Sequence, residues 1–75
     1  MKKYDMTVKS FHMGDKNVVV VLGIYNYQIP SMLLFNIEIY IERREDATIP
    51  FYEALALKKA VSLIHEISDD LAVAA

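Results

Sequence analysis

The two histidines, His12 and His65, are the residues best suited to acid–base or metal chemistry near neutral pH. Neither has a second His, Asp or Glu at a spacing that would complete a metal site. His65 and Glu66 are adjacent, and successive residues of a helix point to different sides. The two glycines, Gly14 and Gly23, lie too far apart to form a phosphate-binding loop. No serine sits in a nucleophile-elbow pattern. There is no cysteine to serve as nucleophile, disulfide half or zinc ligand. Carboxylates are present, but nothing in the sequence pairs two of them in a cleft. The sequence therefore assigns no catalytic residue, no metal ligand and no cofactor. The expectation is a chain that is not an enzyme and takes no small-molecule substrate.

The run Glu42-Arg43-Arg44-Glu45-Asp46 offers two cations that could meet phosphate. Its own acids repel the same phosphates. The expected role is a solvated strand end with weak internal ion pairs. The wider balance points the same way, with 8 basic against 10 acidic residues and a net charge of −2.

Turn chemistry marks out the elements that would position these groups. Gly14-Asp15-Lys16-Asn17 and Gln28-Ile29-Pro30-Ser31 read as turns, and Pro30 cannot continue a central strand. Glu45 to Pro50 reads as a loop that ends at a helix start. Three strands follow, at residues 4–13, 18–27 and 32–43. A helix should begin near Pro50 and continue to about residue 68 or beyond. Proline suits a first helical turn, Thr48 suits the N-cap, and Glu53 places negative charge near the positive end of the helix.

Folding the second and third strands about residues 28–31 makes paired numbers sum to 59. Val18, Val20, Leu22 and Ile24 then face Ile41, Ile39, Ile37 and Phe35, all on one aliphatic side. Asn26 would face Leu33, Tyr25 would face Leu34 and Tyr27 would face Met32. The first strand is apolar at Tyr4, Met6 and Val8, then at Phe11 and Met13. A β-bulge near Lys9-Ser10, with both opposing Val21, would bring both sets to the core. The helix carries Ala54, Leu57, Ala60, Val61, Ile64, Ile67 and Leu71 in one stripe. Leu55 and Leu63 fall outside it. The fold class is α+β: a three-stranded antiparallel meander with a C-terminal helix on one face. Leu22, Ile24, Phe35, Ile37, Leu57, Val61 and Ile64 are its expected centre.

The 75 residues suffice for a single small domain, 1–75, and 55% of them are hydrophobic. That much apolar sequence at low net charge excludes disorder. Residues 17–37 carry no charge, and a spanning helix needs about 20 residues. Asn26, Gln28 and Pro30 inside that stretch, and the β-branched Val18 to Val21, favour a hairpin over a membrane span. No apolar signal segment follows Met1, so the expected compartment is the cytoplasm, with no membrane.

One helix covers one side of a three-stranded sheet. The other side would carry Val19, Val21, Tyr25, Tyr27, Met32, Leu34 and Tyr40, punctuated by Asp5, Thr7, His12, Asn36, Glu38 and Glu42. Tyrosine and methionine in a polar surround is interface composition. The expectation is a small protein-interaction or regulatory module. Its partners would be a second copy, in a homodimer formed through this face or a strand edge, and another protein. The alternative is a single-stranded nucleic-acid binder that stacks bases on the sheet tyrosines. The acidic balance, with Glu38 and Glu42 on that face, disfavours nucleic acid.

Overall fold

In a computed structural model of the chain, which describes residues 3–26, 28 and 32–74, the order is β1 (Tyr4–Met13), β2 (Asn17–Asn26), β3 (Met32–Glu42) and α1 (Ile49–Ala74). The strands form one antiparallel sheet in the order β1-β2-β3. This is the expected βββα meander.

Alternation sets the sheet. The even residues of β2, from Val18 to Ile24, are all buried. They pair with Ile41, Ile39, Ile37 and Phe35 as the sum of 59 requires. In β1, Val8 pairs with Leu22 and Ser10 pairs with Val21, so the register shifts at Lys9. Lys9 itself has no opposite number. Met6, Val8 and Phe11 consequently all pack against the core.

Beyond Ile24 the expected register fails. Tyr25 pairs with Leu33, and Asn26 pairs with Met32. Leu34 is the extra residue, so β3 has an irregularity of its own. Paired residues of an antiparallel sheet point to the same side. The shift therefore places Leu33 with Tyr25 and Met32 with Asn26. The pairing expected for Tyr27 and the turn at Ile29, Pro30 and Ser31 lie outside the described residues.

The helix begins at the end of the sheet where β3 stops. Thr48 Oγ1 accepts from the Phe51 N–H at 3.4 Å, and the Thr48 carbonyl accepts from the Tyr52 N–H, so Thr48 is the N-cap. The core lies at this end: Val18, Val20, Leu22, Ile39 and Ile41 against Tyr52, Ala56 and Ala60. Those three helical residues are four apart and form one ridge. The alanines let the helix backbone approach the β-branched sheet closely.

The expected stripe is thus rotated from the face that packs. Tyr52 and Ala56 are fully buried, although the periodic pattern left both out. Leu55, also left out, packs against the core beside Leu57. Ala54 is exposed, as are Val61 at 47%, Ile67 and Leu71. Phe35 is 48% exposed rather than central. The physical reason is the crossing of helix and sheet. Only the first half of α1 lies on the strands, and nothing past Ile64 is better than exposed among residues 65–73.

Candidate interface surfaces

The loop into the helix is built around Tyr52. Its hydroxyl accepts from the Arg44 N–H and donates to the Arg44 carbonyl, both at 2.8 Å. Its ring meets Phe11 and Phe51 at centroid distances of 6.0 and 5.6 Å. The Arg44 guanidinium lies 5.5 Å from the Phe51 ring centre and 3.7 Å from Asp46. Arg43 turns the other way. Its guanidinium donates to the Gly14 carbonyl at 2.9 Å, and its backbone N–H donates to the Lys16 carbonyl. The charged run therefore joins β3 to the first turn and to the helix. The sequence reading as a solvated strand end missed these two ties.

The histidines are not brought together: His12 is on the sheet and His65 on the helix, both exposed. Among the described residues, no three His, Cys, Asp or Glu side chains cluster closely enough to hold a metal ion. No helix among them is long and apolar enough to cross a membrane.

Two surfaces remain. The first is the sheet face opposite the helix. Pairing places Val19 with His12 and Tyr40, Val21 with Ser10 and Glu38, and Tyr25 with Asp5. Val19, Val21 and Tyr25 are half-buried, and Tyr40 is 64% exposed. Gly23, at the middle of this face, is itself buried. A Cβ there would lie 2.8 Å from Lys9 Cδ and 2.9 Å from Tyr25 Cε1. The lysine stem and the tyrosine ring thus close over the glycine, and the bulge is what aims Lys9 at it. This side is less bare than its composition suggests.

The second surface is a groove of ≈ 660 Å³ on the helix side, at the end of the sheet away from the core. Tyr4, Asp5, Met6, Ile24, Leu34 and Phe35 line it from the strands, and Leu57, Val61 and Ile64 line it from the helix, so Asp5 is its one charged member. Leu34 belongs here, although the expected register set it among the tyrosines. Met32 pairs with Asn26, away from that face as well. Of the expected interface residues, the structure keeps Val19, Val21, Tyr25 and Tyr40 together, and Tyr27 lies outside the described residues. A strand irregularity at Leu34 could have been suspected from the run Met32-Leu33-Leu34-Phe35, which is apolar without alternation.

These features define a small α+β chain with an open three-stranded sheet and an apolar groove beneath its only helix among the described residues. The chain belongs to the family described as a protein of unknown function (DUF1327), whose model matches residues 1–75. No curated protein and no solved structure matches it.

Proposed function

We propose that this chain is a small non-enzymatic protein-interaction module that works as a homodimer. The observation that carries the reading is its exposed surface of 5770 Å². A compact monomer of 8.6 kDa exposes about 4,700 Å². The difference, about 1,000 Å², is comparable with the ~800 Å² that each partner contributes to a stable interface. The radius of gyration of 14.0 Å agrees, since a compact chain of this length has one of about 11 Å. The exposed surface includes the apolar side chains Tyr4, Leu34, Phe35, Val61, Ile67 and Leu71. Burying such surface favours association at roughly 25 cal/mol per Å² before the cost of ordering two bodies.

Nucleic acid is the weaker reading. Glu38 and Glu42 share the open face with Tyr25 and Tyr40, and they repel a phosphate backbone. Sedimentation equilibrium across micromolar concentrations tests the main reading. A dimer is expected, and a strict monomer would reject it.

A further inference from the structure

The helix is longer than the sheet can use. Its 26 residues span about 39 Å. The last fully buried residue is Ala60, and Ile64 is the last half-buried one. Yet the apolar period does not stop there. Leu57, Val61, Ile64, Ile67 and Leu71 continue one stripe, and past Ile64 it faces water, with Ile67 47% and Leu71 64% exposed. The first part of that stripe is also the helical wall of the groove.

The stripe is symmetric about Ile64. Leu57 and Leu71 are equally far from it in sequence, and so are Val61 and Ile67. Each pair matches in size and in apolar character. Lys58 and Lys59 lie on the helix's other flank, with Leu55 and Ser62, and leave the stripe itself apolar. Two such helices laid antiparallel, with a two-fold axis at Ile64, match apolar residues to apolar ones. A parallel alignment would set exposed half against exposed half, Ile67 and Leu71 against themselves, and leave both grooves open.

We propose that two copies of this chain pair through antiparallel α1 helices crossing at Ile64, each laying its Ile67 and Leu71 into the other's groove beside Leu57, Ile24 and Phe35. This rests on the reading of the chain as a self-associating module and gives that association its geometry. The excess surface is about what one protomer of such a dimer would bury. A membrane surface or a nucleic acid fits the strip poorly. The helix beyond Ile64 carries Glu66, Asp69 and Asp70 on its other faces, and there is no basic residue in the last turn.

Disulfide trapping tests the geometry, because the chain has no cysteine of its own. Cysteines at position 64 of two copies would lie at the axis. Those at position 71 would lie about 21 Å apart along the pair. Mild oxidation should therefore link Ile64→Cys into a dimer quickly and leave Leu71→Cys unlinked, while Leu57→Cys mixed with Leu71→Cys should link. Ile67→Glu with Leu71→Glu replaces exposed residues, so the fold should survive by circular dichroism while dimerisation weakens at least about tenfold. A monomer at every concentration would overturn both the association and its geometry. So would a monomer that floats with phosphatidylglycerol vesicles through the same strip. A dimer that ignores the Ile67 and Leu71 changes, but is lost in Tyr25→Glu, would overturn the helix pairing and leave self-association standing on the tyrosine face.

Discussion

The Tyr52 hydroxyl and the backbone of Arg44 exchange two hydrogen bonds, with the tyrosine both accepting and donating at 2.8 Å. The residue is fully buried among Phe11, Phe51 and the sheet. One side chain thus satisfies both polar groups of a loop residue and fixes where the helix starts. Tyrosine is the side chain that fills an aromatic slot and still carries a partner for a buried backbone.

Tyr52→Phe keeps the ring and removes the oxygen. It leaves the Arg44 N–H and carbonyl without that partner, which costs about 1–3 kcal/mol. The urea midpoint should fall with the slope unchanged. An unaltered midpoint would mean that water replaces the hydroxyl without loss.

The core sits at one end of the sheet, so equivalent truncations should differ. Leu22→Ala removes a fully buried side chain and should cost about 2–5 kcal/mol. Phe35→Ala removes a half-exposed one on the same face and should cost under about 1 kcal/mol in dilute solution. Denaturation well below the association range gives both numbers. Equal losses would place the core nearer the β2–β3 end than the structure has it.

The sheet was legible in the sequence because its period is two and its errors are discrete. One register aligned Val18, Val20, Leu22 and Ile24 with four apolar partners, and one inserted residue reconciled Met6 and Val8 with Phe11. The helix was less legible for two reasons. Of its packed ridge only Ala60 lay in the expected stripe; Ala56 carries little hydrophobic weight in a periodic count, and Tyr52 reads as amphipathic. Its heaviest apolar residues, Val61, Ile67 and Leu71, were assigned to the sheet, but the structure leaves them exposed. The candidate surface moved for a related reason. The second irregularity, at Leu34, lies in a run that is apolar without alternation, which hints at a break in register but does not say which residue is the extra one.

The bulge makes a deletion test possible. Removing Lys9 takes out the residue with no opposite number and leaves Met6, Val8 and the shifted Phe11 on one face. Removing Thr7 instead throws Tyr4 and Met6 to the far side, since a one-residue slip exchanges the faces. The Lys9 deletion should melt within a few degrees of the parent, and the Thr7 deletion should be grossly destabilised. Equal melting temperatures for the two would be incompatible with a bulge at Lys9.

Gly23 is the last position that the structure constrains sharply. A methyl group there would come within 2.8 Å of Lys9 Cδ and 2.9 Å of Tyr25 Cε1. Both are far from their own backbones, so they can give way, the lysine stem more easily than the ring. Overpacking costs about 1 kcal/mol or more, while replacing a strand glycine by alanine regains about 0.5–1 kcal/mol. Gly23→Ala should therefore be close to neutral, and Gly23→Val, with two further methyls, clearly destabilising. The closure also implies coupling. In a Lys9→Ala background the stem is gone, so Gly23→Ala should become stabilising, with a coupling energy of at least ~0.5 kcal/mol. A double-mutant cycle of urea melts measures that term. Strict additivity would show that Lys9 does not lie over the glycine in solution, and the open face would then be barer than the structure has it.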